Sequence, residues 1–178
     1  MRTSLFGLLL VVCSCQIDKD KGIDRDKFTF KTGDDTELFF KNMRQSYYDL
    51  EENQAAKFNV FRFKKRLQDD SKAILNLAIV INYLQDEAYI LLEPSGSLTN
   101  DPPWVVNWSD TVSNTSGQFK LEAMNRDNML EFGTLLFEGI EQNYTFTLAE
   151  GTPFLNSSKE REAIRITMTD YYRLTRIF

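Results

Sequence analysis

Pairs of adjacent carboxylates are the side chains of this sequence best suited to acid–base chemistry. A glycosidase uses two carboxylates that face each other across the substrate, and adjacency in sequence does not provide that arrangement. Neighbouring acids in polar turns are typical of a solvated surface. Such pairs include Asp34-Asp35, Glu51-Glu52 and Asp69-Asp70. A small hydrolase built on these residues or on tyrosine is therefore the weakest of the functions that we consider.

The sequence contains no histidine. This absence excludes a Ser-His-Asp triad, a Cys-His dyad and a catalytic zinc site of the usual His-bearing kind. General acid–base catalysis would have to use Asp, Glu, Lys or Tyr. We therefore predict that the protein is not an enzyme and that it has no catalytic residue, no metal and no cofactor.

Two tryptophans form the first candidate binding site. If residues 104–108 are a strand, Trp104, Val106 and Trp108 share one face, because side chains alternate along a strand. Two indoles beside a proline-containing loop are suited to stacking on a sugar ring or holding a lipid or peptide. The favoured interpretation is that both rings belong to the core, where aromatic side chains dominate burial.

A basic run forms the second candidate site. Arg62, Lys64, Lys65 and Arg66 stand out in a chain of net charge −5 and pI near 4.9. They are suited to contact with an anionic surface such as lipid headgroups. The alternative is a solvated strand end that discourages edge pairing. The acidic balance of the whole chain argues against nucleic acid as a partner.

Two tyrosine pairs, Tyr47-Tyr48 and Tyr171-Tyr172, form a third candidate. In either secondary structure, each pair is expected to place one ring inside and one near the surface. Tyrosine is common at protein contacts because its side chain is amphipathic and has few rotatable bonds. Core packing is the alternative for both pairs.

The N-terminus carries a short apolar leader that ends at a cysteine. Arg2 precedes the segment from Leu5 to Val12, which is far shorter than the ~20 residues of a membrane-spanning helix. The sequence Val12-Cys13-Ser14-Cys15 resembles a bacterial lipobox, in which a small residue precedes the cysteine that becomes acylated. This resemblance implies that residues 1–14 are a signal peptide and that Cys15 carries the lipid anchor, with fatty acids such as palmitate. Gln16 favours the outer membrane, because an Asp there would resemble an inner-membrane retention signal.

Residues 15–27 are predicted to be the lipidated cysteine and a flexible charged tether. Alternating acids and bases with two isolated isoleucines bury too little apolar surface to become ordered. The alternative is a calcium loop. Its oxygen ligands would come from Asp18, Asp20, Asp24 and Asp26. The interspersed Lys and Arg residues and the missing EF-hand spacing argue against that site.

Residues 28–178 are predicted to form one α+β domain, with a mostly antiparallel sheet of about five to seven strands and one or two packed helices. Residues 28–30, 57–63, 104–108, 119–123 and 144–148 are expected to be strands, and 74–83 pairs with 88–92 as a central hairpin. Residues 37–49 are either helix or strand, and aromatic density favours strand. Asn125 or Asp127 caps one predicted helix. Ser157 and Glu160 form a capping box before another helix, although that stretch also alternates like a strand.

The leading functional hypothesis is a non-catalytic, lipid-anchored cell-envelope protein that serves as an accessory subunit and binds another envelope protein. A carbohydrate- or lipid-binding module that uses Trp104 and Trp108 is the alternative. The aromatic-rich, acidic composition behind a lipobox resembles small envelope lipoproteins of Bacteroidetes. That likeness concerns location and implies no activity.

Replacing Cys15 with Ser should abolish acylation, because the thiol that accepts the lipid is lost. Labelling cells with a clickable palmitate analogue, followed by membrane fractionation, measures both the modification and the anchoring. Cys13→Ser is the matched control and should leave both unchanged. Equal membrane retention of Cys15→Ser and the unsubstituted chain would contradict the lipobox interpretation.

Overall fold

The apolar segment that begins at Ile74 forms the centre of an antiparallel sheet. The computed structural model describes residues 22–98, 102–148 and 151–178. The first sheet has the order β1-β2-β3-β4, with β1 Tyr48–Asn53, β2 Phe58–Phe63, β3 Ile74–Asn82 and β4 Glu87–Ser95. All residues of β3 except Asn82 are buried, since apolar side chains cover both of its faces. The predicted strand at 57–63 and the predicted central hairpin are confirmed.

The predictions for the extreme N-terminus fall outside the described residues. These are the signal peptide at 1–14, the lipidation of Cys15 and the calcium ligands Asp18 and Asp20. Within the three described ranges, no helix is both long and apolar enough to cross a membrane.

The second sheet contains the tryptophan-bearing strand. Its order is β6-β5-β7-β8, with β5 Trp104–Asp110, β6 Thr115–Leu121, β7 Thr145–Thr147 and β8 Pro153–Phe154. All described pairings are antiparallel. The predicted α+β class is confirmed. The strands divide between two four-stranded sheets, whereas the sequence analysis expects one sheet.

Two long helices pack beside the sheets, and both start where the sequence predicts. Helix α2, Arg126–Glu141, is capped by Asn125, whose side chain accepts a hydrogen bond from the Asn128 N–H at 2.9 Å. Helix α3, Ser158–Leu174, begins with the predicted capping box of Ser157 and Glu160. Helix α2 contacts both sheets, and α3 packs on β3 and on α2. The capping residues decide correctly between helix and strand here, because their hydrogen bonds are local.

The strand prediction for residues 37–49 is wrong over most of its length. Helix α1, Asp34–Phe39, continues into a π-helical turn, Phe40–Arg44, and a 3-10 turn, Gln45–Tyr47. The first strand begins only at Tyr48. The aromatic residues of this segment do not alternate between core and solvent as strand residues would. Of its helical part, Phe40 alone is inserted into the core, so the high aromatic content was a misleading signal.

The predicted strand at residues 28–30 is also wrong. This segment follows the start of β4 through a few backbone contacts, without forming a ladder. Lys31 makes an isolated bridge with Glu87, and the Phe30 carbonyl accepts a hydrogen bond from the Ala88 N–H at 2.8 Å. The alternating pattern of three residues is too short to distinguish a strand from such an extended connection.

Part of the predicted tether lies against helix α2. Glu138 accepts hydrogen bonds from the Ile23 N–H at 2.7 Å and from the Arg25 guanidinium at 2.7 Å. Ile23 also packs against the core, and Arg25 begins a short 3-10 turn. Residues 22–27 therefore belong to the packed domain, which extends further towards the N-terminus than predicted. The interaction depends on Glu138, which is more than 100 residues away in sequence and gives no local signal.

Phe61 contributes strongly to the core, because its ring is fully buried and packs edge-on against Phe40, with the ring centroids 5.1 Å apart. We expect Phe61→Ala to lower the free energy of unfolding by about 3–5 kcal/mol, through lost burial and an unfilled cavity. Leu84→Ala is the control, since Leu84 is 74% exposed and its loss should change stability by less than ~0.5 kcal/mol. Urea unfolding followed by circular dichroism measures both values, and similar values for the two variants would contradict this packing.

Candidate functional site

Trp104 lies in the core. Its side chain is only 5% exposed and meets the ring of Phe132 edge-on, with the centroids 6.4 Å apart. It shares the inward face of β5 with Val106, as the alternation predicts. A buried indole presents no face to a ligand, so the structure favours the core interpretation for this residue.

Trp108 is half-buried and its stacking position is occupied. The ring of Tyr144 stacks on it with centroids 4.6 Å apart and planes 11° apart. Gly117 lies opposite on β6, and a Cβ there would come within 2.7 Å of the indole. The ring is therefore held between a stacked tyrosine and the bare backbone of the neighbouring strand. The two tryptophans do not form a paired platform.

The basic run divides into two parts with different roles. Arg62 points away from the core and pairs with Glu93 at 2.7 Å and Glu51 at 2.5 Å. Arg66 pairs with Asp49 at 2.7 Å. The charges of both arginines are thus matched by carboxylates on neighbouring strands. Lys64 and Lys65, which follow the end of β2, line a cleft instead.

This cleft is the candidate functional site. It has a volume of about 750 Å³ and lies between the end of β2, the turns before β1 and the first half of α3. Its cationic side chains are Arg44, Lys64, Lys65 and Lys159. Its single carboxylate is Glu162, which accepts a hydrogen bond from Arg165 at 2.6 Å. A chain with more acidic than basic residues therefore contains a locally basic cleft.

A buried carboxylate fixes one wall of the cleft. Asp170 on α3 is 2% exposed and accepts hydrogen bonds from Arg44 Nε at 2.8 Å and from the Tyr48 hydroxyl at 2.7 Å. Burial, followed by the neighbouring Asp170 charge, raises the pKa of Tyr48 well above its usual value. The hydrogen bond with Asp170 raises the pKa of the Arg44 guanidinium. Arg44 also lies over the ring of Tyr47, 4.7 Å from its centroid.

An exposed apolar surface adjoins the cleft. We call it the Tyr47 face; it consists of Leu38, Phe39, Met43, Tyr47 and Leu50, which are between 40% and 59% exposed. Phe39, Met43 and Tyr47 recur every four residues along the successive α-helical, π-helical and 3-10 turns, and all three are exposed. Tyr47 belongs both to this face and to the cleft lining.

The tyrosine pairs follow the expectation in one case only. Tyr47 is 49% exposed and Tyr48 3%, as predicted. Tyr171 and Tyr172 are both fully buried, which corrects the expectation for that pair. Helix α3 packs between β3 and α2, so two adjacent positions on it face different core elements.

The paired carboxylates do not converge on a common site. Asp35 pairs with Arg176, Glu51 with Arg62, and Asp69 accepts hydrogen bonds from Ser71 within its own turn. In the part of the chain that the structure describes, no three acidic or cysteine side chains are grouped to hold a metal ion.

No family model, curated protein or solved structure matches the chain. The functional interpretation therefore depends on the geometry of the cleft and of the Tyr47 face.

Sequence reasoning missed most of the Tyr47 face and two cations of the cleft. The signal for the face was the four-residue spacing of Phe39, Met43 and Tyr47, which the strand interpretation concealed. Arg44 and Lys159 come from distant parts of the chain, and only the fold brings them beside Lys64 and Lys65.

The buried tyrosines predict a loss of stability in alkali. Burial raises the pKa of Tyr48, Tyr171 and Tyr172 above the ordinary value, so the folded state keeps protons that the unfolded state releases above pH ~10. Stability from these groups is complete below that pH and declines as the pH rises further. In Tyr48→Phe, the free energy of unfolding should decrease less steeply between pH 11 and 12. The slope should be smaller by up to about 1.4 kcal/mol per pH unit, because one titrating group is removed.

Urea unfolding at a series of pH values, with tyrosinate absorbance as the second signal, measures this slope. The Tyr83→Phe variant provides a comparison at a half-buried position, where burial raises the pKa only to about 12. An unchanged slope in Tyr48→Phe would show that the Tyr48 hydroxyl titrates in the folded protein.

Proposed function

We propose that this protein is a non-catalytic, lipid-anchored cell-envelope subunit that binds a partner protein through the Tyr47 face. The observation that carries the proposal is the exposure of five large apolar side chains on adjoining elements, namely Leu38, Phe39, Met43, Tyr47 and Leu50. Contiguous exposed apolar patches are typical of interaction sites in soluble domains. Aromatic residues and methionine are also enriched at the centres of protein interfaces.

The segment that carries this face is held firmly by the rest of the domain. Phe40 packs against Phe61 and Tyr48, with centroids 5.1 Å and 5.6 Å from its own. The Thr36 hydroxyl donates to the Leu174 carbonyl at 2.8 Å, and Asp35 pairs with Arg176. A face that is already ordered loses little conformational entropy when it binds, which favours affinity.

A lipid on Cys15 would keep the domain close to the membrane. The seven peptide links from Cys15 to Gly22 span at most ~25 Å when fully extended. Since Ile23 and Arg25 are fixed to α2, that distance limits how far the domain can move from its anchor. An envelope protein in the same membrane is therefore the expected class of partner.

The carbohydrate- or lipid-binding alternative based on the tryptophans receives less support. Trp104 is buried and Trp108 is stacked on Tyr144, so a ligand would first have to displace core contacts. The lack of histidine and the dispersed carboxylates support the non-catalytic assignment.

A photo-reactive amino acid at position 43 should produce a discrete cross-linked product in cells, because Met43 is among the most exposed side chains of the Tyr47 face, at 59%. The same amino acid at position 112 is the control, since Val112 is 94% exposed but lies in the turn between β5 and β6. Mass spectrometry of the purified product identifies the partner.

The double variant Phe39→Ser/Met43→Ser should weaken recovery of that partner at least tenfold, while Val112→Ser should not. Thermal unfolding of both variants shows whether the fold is retained. Identical products from positions 43 and 112, or undiminished recovery with the double variant, would refute the proposed interface.

A further inference from the structure

We propose that the basic cleft binds the phosphate group of an anionic lipid headgroup. The inference goes beyond the proposed function, because it assigns a second ligand to a different set of side chains. Its cationic residues are Lys64, Lys65 and Lys159, with Arg44 on the adjoining wall.

The three lysines are available for an anion. None of them pairs with a carboxylate of residues 22–98, 102–148 or 151–178. Lys64 donates a hydrogen bond to the Ser46 carbonyl at 2.9 Å, which holds its ammonium group at the cleft. Like charges that share a cleft repel one another, and a bound phosphate would offset that repulsion.

The neighbouring arginines differ from the lysines in that they form ion pairs. This difference distinguishes the cleft from a surface that is basic throughout. Arg62 and Arg66 flank the two lysines in sequence, yet both are paired with carboxylates of neighbouring strands. The fold neutralises those two charges and leaves the lysine charges directed to one cleft. Glu162, the carboxylate of the lining, is itself paired with Arg165.

The cleft also has an apolar component that suits a lipid better than a free ion. Phe63, Ile166 and the ring of Tyr47 contribute to its lining, and its volume of about 750 Å³ is much larger than a phosphate ion needs. Cations beside apolar surface match an amphiphile whose phosphate and hydrocarbon portions are adjacent.

The test uses the full chain with Cys13→Ser and Cys15→Ser, so that acylation cannot contribute to binding. Co-sedimentation compares phosphatidylcholine vesicles with vesicles that also contain phosphatidylglycerol. We expect binding only to the anionic vesicles, with affinity that decreases as salt is added. Equal binding to both kinds of vesicle, or to neither, would overturn the proposal.

Variants then locate the binding site. Lys65→Gln/Lys159→Gln should weaken vesicle binding about fivefold per lysine, and therefore roughly twenty-fivefold in the double variant. Lys120→Gln is the matched control, because Lys120 is an exposed lysine on β6, outside the cleft, and its loss should change binding less than twofold. If the control weakens binding as much as the double variant, the attraction is non-specific and the cleft is not the site.

A final arm separates the lipid from a free anion. Calorimetric titration with inorganic phosphate should give much weaker binding than the vesicles, and Ile166→Ser should weaken vesicle binding alone. Phosphate binding as tight as vesicle binding would overturn the lipid assignment. The double variant Phe39→Ser/Met43→Ser should retain vesicle binding, because both positions lie outside the cleft lining. A failure of the partner proposal is therefore distinguishable from a failure of the lipid proposal.

Discussion

The carboxylate of Asp170 is the interaction on which the candidate site depends. It is buried on α3 and accepts hydrogen bonds from Arg44 in the π-helical turn and from Tyr48 at the start of β1. A buried charge is stable only when it is paired and hydrogen-bonded, and removal of one partner typically costs about 3–5 kcal/mol. The three elements that it joins also carry the cleft and one end of the Tyr47 face. The position of the site is therefore coupled to the pairing of one acidic side chain.

The helical segment before β1 is unusual in the direction of its apolar residues. A surface helix normally turns its apolar stripe towards the core. Here Phe40 alone packs inward, while Phe39, Met43 and Tyr47 face solvent. Exposed apolar area forgoes roughly 25 cal/mol per Å² of stabilisation, which a bound partner would recover. The isolated domain is therefore less stable than it would be with these side chains buried, and the same exposed surface would be stabilised by a bound partner.

Local signals predicted the elements whose hydrogen bonds are local. The β3–β4 hairpin follows from its apolar runs and its turn, and the helix starts follow from Asn125 and from Ser157 with Glu160. The α+β class follows from the number and spacing of these elements. These are cases in which sequence neighbours provide the partner.

Long-range partners explain what the sequence did not reveal. Residues 22–27 look like a solvated spacer until Glu138 is placed beside Arg25. The four basic residues at 62–66 look equivalent until Glu51, Glu93 and Asp49 are placed beside the two arginines. The aromatic content of residues 37–49 suggested a strand, because composition does not show which ring is inserted into the core.

The attachment of Ile23 and Arg25 to Glu138 would have a mechanical consequence if the proposed lipid on Cys15 anchors the chain. Tension on the N-terminal segment would then reach helix α2 first, through the hydrogen bonds of Ile23 and Arg25 with Glu138. Helix α2 in turn packs on β4 of the first sheet, so a modest pull would release the short N-terminal segment before it acted on a strand. Detachment of residues 22–27 would lengthen the reach of the domain while its core remained folded.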